Sequence, residues 1–501
     1  MKKDFENDFG YDYIMALCSA IEEVIRQEEV KNPDIFTYKG SNLRYAITRA
    51  LYFSYVNHDQ LFEIYIQSKK ETLISVIKVK DDIEKKLITT MCNVREDKII
   101  IEPRAEMIEQ IKTMIKPSVR FCIKIFLLDK IATLIRKKIN FFQQKNSTCS
   151  VLFFTINERF VQYMKPIFDK MPVSCQFITH NPVTANYLNQ EKIPFVKISS
   201  FLYSIKRWSQ KDSWIKRFYL TEQYDLLEDS ILRIYPKSIV FVEGNAPQYE
   251  VVNRICKKFG IQSVCVQQGW APIVNNGFRN MSYSKMLVWG EGFAKDLAPY
   301  NTNQHFTVTG NFMVETKPPK DIKKIKTIAL FSHGKTRIVP SKTLKDFVDF
   351  ARQLANKYQS INIIIREHPV YKLDQKTKSE LEKCDNVMFM SEPKYSLESI
   401  MEKSNINITV FSTVSLESLS AGILPIIINT TSCPKFFPDI DKMKAGIEVK
   451  TTNEALQTVE MLIRDPKEFN KFKEPMKKFR KEYFAYDKET AMKNIIKEII
   501  N

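Results

Sequence analysis

Glycine is scarce in this sequence, with only 12 in 501 residues. None lies between Ser41 and Glu243, whereas ten lie from Gly244 to Gly446. Tight turns and close approaches of the backbone to a ligand favour glycine, because it has no Cβ atom. We therefore expect the ligand chemistry of this protein to lie after residue 240.

Metal-binding and disulfide patterns are absent as well. The five histidines are not spaced as metal ligands, and the nine cysteines form neither a CxxC pair nor a zinc-binding spacing. Asp439 and Asp441 have the spacing of a DxD motif, but they follow a proline-bounded segment and no strand, so we interpret them as structural. The sequence therefore predicts reduced thiols, no metal and no cofactor.

The sequence also lacks a run of about 18 uncharged apolar residues, which argues against a membrane-spanning helix. The polar N-terminus has no apolar core of a secretory signal, so we expect a cytoplasmic protein. The basic, apolar segment 121–142 leaves two interpretations open. It lies peripherally on the anionic inner face of the cytoplasmic membrane, or it is a helix packed against the next domain.

Positive charge, by contrast, is abundant, and the net charge is +18. Nucleic acid, an anionic membrane and anionic substrates are the partners that such a charge attracts. No RNA-binding motif, zinc finger or helix-turn-helix pattern is recognisable, so no nucleic-acid partner is expected. A compositional bias toward lysine is the alternative explanation. The GxGxxG, GxSxG, HExxH and protein-kinase motifs are absent too.

The pattern of apolar residues divides the chain. Residues 1–145 are predicted to be mostly helical, with helical spacing at 14–24 and 107–115. Short apolar runs then alternate with amphipathic helices over 146–316 and again over 327–501, on either side of a polar linker at 317–326. Such alternation predicts two tandem Rossmann-like α/β domains with parallel sheets. The predicted strands are 151–155, 175–179, 238–242, 263–266, 286–289 and 306–309, then 327–331, 361–365, 387–390, 406–411 and 424–428.

Polar segments follow three strands of the second domain, where α/β proteins bind ligands. His333, Gly334 and Lys335 follow the first strand and suit a phosphate, although an ordinary loop into a helix capped by Ser341 is the alternative. Arg366, His368 and Pro369 follow the second strand, and the histidine is a candidate phosphate ligand or acid. Glu392 follows the third strand, where it either contacts a nucleobase or belongs to a plain turn.

Residues 412–422 are the most informative segment. Ser412, Thr413 and Ser415 place hydroxyls at a predicted helix start, where free N–H groups and the helix dipole attract phosphate. Glu417 lies one turn further and can reach a ribose diol, and Gly422 ends the helix. A capped structural helix is the alternative.

The first domain offers a candidate general base and a cleft wall. Glu243 follows a buried strand and precedes Gly244, which suits deprotonation of an acceptor hydroxyl, although a structural acid at a helix start is the alternative. Its neighbours at strand ends are expected to line the acceptor side of the cleft: Asn245, Gln268, Gly269, Gly310 and Asn311. Trp270 either stacks on a sugar or packs in the core.

These segments resemble the GT-B fold of bacterial surface-polysaccharide glycosyltransferases. The segments at 268–269, 289–290 and 309–311, and those at 366–369 and 411–422, are similar to the two halves of sialyl- and polysialyltransferases, capsule Kdo transferases and CDP-glycerol glycerophosphotransferases. The resemblance implies that His368 contacts the donor phosphate and that the 412–415 hydroxyls bind phosphate of a cytidine nucleotide. It further implies that Glu243 is the base, although Val242 replaces a paired acid and Gln268 replaces the histidine of the glycerophosphotransferases.

The resemblance implies a metal-independent glycosyltransferase that uses a nucleotide-sugar donor. A CMP-linked, sialic-acid-like or Kdo-like sugar would pass to a hydroxyl of a surface polysaccharide or glycolipid. An anionic membrane surface is a further candidate partner. Three alternatives stay open: a CDP-glycerol-type glycerophosphotransferase, a nucleotide-sugar 2-epimerase, and a non-enzymatic basic scaffold.

Overall fold

The computed structural model describes residues 9–71, 76–102, 149–198, 220–270, 273–368, 371–391, 394–410, 412–431 and 433–501. The predicted helix at 107–115 and the basic segment 121–142 lie outside the described residues. The same holds for two predicted site residues, Pro369 and Glu392.

Residues 10–101, the N-terminal helical unit, combine helices with two small two-stranded sheets. The elements in chain order are α1 Gly10–Lys31, β1 Thr37–Tyr38, β2 Ser41–Asn42, α2 Arg44–Tyr55, α3 Asp59–Lys69, β3 Ile77–Val79, α4 Asp82–Cys92 and β4 Ile99–Ile101. Helix α1 buries Leu17, Ile21 and Val24 along one face, as helical spacing predicts. The buried residues of this unit belong to one apolar cluster that continues into the core of the first α/β domain.

The first α/β domain is built on a seven-stranded parallel sheet. Its elements are β5 Val151–Phe154, α5 Glu158–Phe168, β6 Cys175–Thr179, α6 Pro182–Gln190, β7 Phe195–Lys197, α7 Leu220–Ile234, β8 Ser238–Val242, α8 Pro247–Phe259, β9 Gln262–Val266, β10 Lys285–Val288, α9 Glu291–Leu297 and β11 Phe306–Val308. The strand order is β11-β10-β9-β8-β5-β6-β7. Strands β5 and β8 lie in the middle and are buried along their whole length, as expected of strands covered by helices on both faces.

The second α/β domain has a six-stranded parallel sheet. Its elements are β12 Thr327–Phe331, α10 Ser341–Lys357, β13 Asn362–Arg366, α11 Gln375–Leu381, β14 Val387–Phe389, α12 Leu397–Lys403, β15 Ile406–Thr409, α13 Val414–Ser420, β16 Leu424–Ile428, β17 Ile447–Val449, α14 Thr452–Arg464, α15 Asn470–Tyr483 and α16 Lys488–Ile500. The strand order is β14-β13-β12-β15-β16-β17. The predicted α/β fold with two Rossmann-like domains is confirmed.

Several details differ from the sequence-based prediction. Strands β7 and β17, each three residues long and each carrying a charged residue, are absent from the sequence-based prediction. The predicted strand at 406–411 ends at Thr409, and Ser341 is the first residue of α10 without capping it, since Pro340 occupies the cap position. In the part of the chain that is described, no helix is both long and apolar enough to cross a bilayer.

The last helix returns to the first domain. The Ser238 hydroxyl donates to the Ile499 carbonyl oxygen over 3.0 Å, and Lys285 pairs with Glu498 at 2.9 Å. The sequence places α16 with the second domain, because periodicity shows which face of a helix is apolar but not which sheet covers it. This return ties the two domains together at the side of the first sheet.

The linker between the domains packs under the turn that ends α13. Gly422 has a φ of +73°, and its backbone N–H donates to the Leu419 carbonyl oxygen. A Cβ atom at this position would overlap the carbonyl oxygen of Pro318 in the linker. Gly422 therefore meets two demands at once, a left-handed backbone and a close backbone contact.

We expect Gly422→Ala to destabilise the protein by about 2 to 4 kcal/mol, from left-handed strain and from overlap with the linker. Gly260 is a matched control, since it has a φ of +68° but open space around its Cα. Gly260→Ala is expected to cost only about 1 kcal/mol. Thermal unfolding of both variants measures the difference, and equal losses would show that the linker contact is unimportant.

Candidate functional site

A cleft of about 460 Å³ opens between the carboxyl ends of the two sheets. Parallel strands bring the residues that follow them to one edge, so segments distant in sequence meet there. The cleft is lined by most of the predicted site residues: Glu243, Asn245, Gln268, Gly269, His333, Arg366, His368, Ser412, Thr413, Ser415 and Glu417. The first domain supplies the first four of these, and the second domain supplies the rest.

Glu243 sits in a strained turn at the end of β8. The Gly244 N–H donates to the Val242 carbonyl oxygen over 2.7 Å, and Glu243 has a φ of +59°. This three-residue turn with a positive central φ is rare and strained. A Cβ atom on Gly244 would lie 2.7 Å from Cys265 Sγ and from the Tyr283 ring, so glycine is required there. Strained, over-determined backbone of this kind is concentrated at functional sites.

The Glu243 carboxylate is held by two amides and faces one cation. Asn245 Nδ2 donates to Oε2 over 3.2 Å. The Gln268 amide, oriented with its nitrogen toward Glu243, donates to Oε1 over 2.6 Å and accepts from Arg159 over 3.2 Å. Burial raises the pKa of Glu243, while the Arg159 charge and the Asn245 hydrogen bond oppose that rise. A carboxylate of raised basicity suits a general base.

Arg159 was not predicted, although it is central to the charge distribution of the cleft. It follows Glu158 at the start of α5 and is exposed within the cleft. Its charge lowers the pKa of Glu243, of Glu417 and of His368, which places it near both walls. The signal available in the sequence was its position in the first turn of the helix that follows strand β5, near the carboxyl edge of the sheet at which Glu243 also lies.

Two histidines of the second domain lie side by side. Their ring centroids are 5.7 Å apart, and His333 Nδ1 lies 2.7 Å from the Gly334 carbonyl oxygen. The Tyr371 N–H donates to His368 Nδ1 over 3.3 Å, which assigns the proton of the neutral ring to Nε2. Burial, then His333 and two cationic residues, lower the pKa of His368 to about 4. His368 is therefore a neutral hydrogen-bond donor at pH 7.

The start of α13 carries the predicted hydroxyls, but some of their hydrogen bonds are formed within the loop itself. Ser412 Oγ accepts from the Val414 N–H over 3.2 Å, and buried Ser415 donates its hydroxyl proton to the Ser412 carbonyl oxygen over 2.9 Å. Thr413 Oγ1 lies 3.3 Å from the Trp270 backbone nitrogen, across the cleft. An added Cβ on Gly269 would lie 3.5 Å from Thr413 Oγ1 and 3.7 Å from Glu243 Oε1. The two walls thus approach each other on either side of one glycine.

Glu417 faces the same cleft from α13. Burial raises its pKa to about 7, although Arg366 and Arg159 act to lower it. Because the folded-state pKa lies above the ordinary value, the stabilising contribution of the protonated form is fully present below about pH 4.5 and is lost as the pH rises through 7.

We therefore expect Glu417→Gln to unfold at a higher temperature than the unsubstituted protein at pH 8, by an amount equivalent to about 1 to 3 kcal/mol. The advantage should shrink steadily toward pH 5, where the carboxyl group is already protonated. Thermal unfolding at a series of pH values measures this difference, and a pH-independent difference would contradict the assigned pKa shift.

Some predicted residues lie outside the cleft. Lys335 is exposed and lines a neighbouring hollow, and a Cβ on Gly334 would overlap the Tyr371 ring, so this glycine serves packing. Gly310 packs against Ala491 of α16, and Asn311 holds the Met313 N–H over 2.8 Å. All four residues follow strand ends, but the neighbours that pack on Gly334 and Gly310 come from distant segments of the chain, which local patterns do not reveal.

Aromatic and apolar residues complete the cleft without having been predicted. They are Phe278, Leu397, Phe436, Phe437 and Pro438. Trp270 donates from Nε1 to the Phe437 carbonyl oxygen and packs on Phe293 at 4.8 Å, so it bridges the domains and is not an open stacking surface. Nothing in the local pattern of 434–438 distinguishes a cleft rim from an ordinary loop.

The DxD sequence has a structural role. Asp439 accepts from the Lys442 N–H over 2.9 Å, Asp441 accepts from the Glu448 N–H over 3.3 Å, and both lie within 4 Å of Lys435. Across the described ranges, no group of three or more His, Cys, Asp or Glu residues could hold a metal ion.

Comparisons with known proteins add an architectural likeness. No protein-family model and no curated protein matches the chain. A UDP-GlcNAc 2-epimerase from Neisseria meningitidis bound to UDP-GlcNAc is 15% identical, with a TM-score of 0.49, over 70% of this chain and 99% of that one. The glycosyltransferase of kitacinnamycin is 12% identical, with a TM-score of 0.45, over 70% and 100%. A glycosyltransferase from Streptomyces nogalater is 12% identical, with a TM-score of 0.38, over 69% and 98%.

Proposed function

We propose that the protein is a glycosyltransferase that moves a sugar from a nucleotide-activated donor to an acceptor hydroxyl. One observation carries the proposal: a carboxylate of raised pKa, Glu243, shares a single cleft with two arginines, two histidines of lowered pKa and the hydroxyls at the start of α13. A base on one wall and anion-binding groups on the other are what transfer between a hydroxyl and a phosphate-linked sugar requires.

The donor occupies the wall formed by the second domain. Arg366, buried at the end of β13, and the Nε2–H group of His368 bind the nucleotide phosphate, together with the hydroxyls of Ser412 and Thr413 at the start of α13. Glu417 lies one turn into that helix, where it accepts a ribose hydroxyl. Arg159 reaches the phosphates from the opposite wall, which would draw the two domains together when the donor binds.

The reaction requires one proton transfer and one substitution. Glu243 takes the proton of the acceptor hydroxyl as that oxygen bonds to the anomeric carbon of the sugar. The bond from this carbon to the phosphate oxygen breaks, and its electron pair leaves with the nucleotide. Arg159, Arg366 and His368 stabilise the charge that develops on the departing phosphate.

The proposed donor is a CMP-linked, sialic-acid-like or Kdo-like sugar, and the acceptor is a surface polysaccharide or glycolipid. The resemblance of segments 366–369 and 411–422 to transferases with cytidine donors supports this choice. The net charge of +18 suits an anionic donor and the anionic cytoplasmic surface of a membrane that holds such acceptors.

A donor-consumption assay tests the proposal. The protein is incubated with CMP-sialic acid, CMP-Kdo, CDP-glycerol or UDP-GlcNAc, with and without a mixture of glycan acceptors, and nucleotide release is measured. We expect release from one sugar donor, acceleration by an acceptor, and strong loss in His368→Ala but not in His305→Ala, whose histidine is exposed outside the cleft. Release from CDP-glycerol alone would instead identify a glycerophosphotransferase, and no release from any donor would reject the proposal.

The pair Glu243 and Glu417 keeps a 2-epimerase as the second candidate, because inversion at C2 needs acid and base groups near the sugar ring. The two reactions differ in their products. An epimerase would convert UDP-GlcNAc to its C2 epimer without net nucleotide release and would incorporate solvent deuterium at C2. Proton NMR of the UDP-GlcNAc sample in D₂O distinguishes the two.

A further inference from the structure

The N-terminal helical unit contacts a cleft-lining loop on each wall of the cleft. On the side of the first domain, Glu22 of α1 accepts from Arg279 over 3.1 Å and from Asn276 over 3.2 Å. These residues flank Phe278, which lines the cleft. The same unit is anchored deeper by Arg49 of α2, which pairs with Glu250 of α8 at 3.2 Å, with both side chains fully buried.

On the side of the second domain, Arg337 inserts into the unit. Its guanidinium lies 4.3 Å from the Phe62 ring centroid and 5.6 Å from that of Tyr13. Arg337 Nε donates to the Val56 carbonyl oxygen over 3.2 Å, and Nη2 donates to Asp59 over 3.0 Å. The arginine side chain is only 12% exposed, which strengthens its cation–π attraction to the two rings, whereas its partner Asp59 is 87% exposed.

Arg337 belongs to the loop between β12 and α10 that also carries His333. The Thr336 N–H donates to the Val339 carbonyl oxygen over 2.9 Å, and the Val339 N–H donates to Thr336 Oγ1 over 3.0 Å. This closed turn presents Arg337 to the helical unit at one end of the loop, while His333 lines the cleft at the other. A fixed Arg337 therefore restricts the path of the three residues that connect it to His333.

We propose that the N-terminal helical unit is an intramolecular clamp that sets the conformation of the His333 loop, with Arg337 as the positioning residue. The clamp grips Arg337 through an aromatic face and a backbone carbonyl, and it is itself held on the first domain by Arg49 and Glu22. The consequence for donor binding rests on the function proposed above, whereas the conformation of the loop does not.

Hydrogen–deuterium exchange of the full chain tests the clamp. In Arg337→Ala, we expect the protected amides of Thr336 and Val339 to exchange about tenfold faster or more, while protection of β12 is unchanged. Phe62→Leu keeps apolar volume but removes the ring face, and it should give the same local effect. Arg352→Ala is the control, because Arg352 pairs with Asp349 and Glu380 within the second domain.

Histidine NMR supplies a readout that a purely structural contact would not move. Burial lowers the pKa of His333, so release of its loop in Arg337→Ala should raise that pKa toward the ordinary 6.5 and leave exposed His305 unchanged. Unaltered exchange and an unaltered His333 titration in folded Arg337→Ala and Phe62→Leu would overturn the clamp. Absence of nucleotide binding by the unsubstituted protein would reject the proposed function. It would not affect the test of the clamp, which depends only on the exchange rates and the His333 titration.

Discussion

Glu243→Gln is expected to reduce turnover about 10²- to 10⁴-fold while leaving nucleotide binding intact, the range that a positioned general base contributes. Glutamine keeps the shape and can still accept a hydrogen bond from Asn245 or from Gln268, though not from both, and it cannot take a proton from the acceptor. Donor turnover at saturating acceptor and nucleotide affinity by calorimetry measure the two quantities separately. Because burial already disfavours the ionised form of Glu243, the variant should be at least as thermostable as the parent protein.

Glu291→Gln is the matched control for this substitution. Glu291 also follows a strand of the first sheet, but it is exposed at the start of α9 and away from the cleft. Its replacement should leave turnover within about twofold of the parent. Full activity of Glu243→Gln would remove Glu243 from the mechanism, and a parallel loss of nucleotide affinity would show that its role is in donor binding instead.

Arg159→Ala is expected to lower kcat/KM about 10²-fold or more, as loss of a group that stabilises developing charge does. A second effect follows from its electrostatics. Arg159 lowers the pKa of Glu243, so its removal should raise that pKa and shift the acidic limb of the pH–rate profile to higher pH. The profile of kcat/KM against pH, measured for the parent and the variant, shows both effects.

Lys165→Ala controls for loss of positive charge on the same helix. Lys165 lies two turns along α5 and forms a solvent-exposed pair with Asp169 at 2.6 Å. It should change neither the rate nor the position of the acidic limb. A loss of rate in Arg159→Ala without any shift of the limb would show that Arg159 acts on the phosphate alone and is not coupled to Glu243.

The pattern of strands in the sequence predicted the fold, and it also predicted which residues at strand ends line the cleft. Residues that follow the strands β8, β9, β13 and β15 converge as the geometry of parallel sheets requires, which is why Glu243, Gln268, His368 and Ser412 line one cleft. Buried strands such as β8 can be recognised in the sequence, because a short apolar run rich in β-branched residues favours a strand over a helix. The sequence alone therefore locates the cleft and the residues that line it at these strand ends.

Long-range packing accounts for the remainder. Lys335 follows a strand but turns away from the cleft, and Gly310 is covered by α16, which the chain order assigns to the other domain. Arg159 carries no distinguishing neighbours in the sequence, and its significance comes from three titratable groups brought near it by folding. The role of the N-terminal helical unit was equally hidden, because the contact between Phe62 and Arg337 spans 275 positions of sequence.

A thermal-shift screen tests the central claim, that the cleft binds a nucleotide, most directly. The purified protein, His368→Ala and His305→Ala are each melted with CMP, CDP, UDP, GDP and ADP at millimolar concentration. A ligand present at about 100 times its Kd stabilises the folded state by about 2.7 kcal/mol, which raises the melting temperature measurably. We predict a clear shift with one nucleotide that is lost in His368→Ala and kept in His305→Ala. No shift with any nucleotide would contradict the account and favour a non-enzymatic basic scaffold.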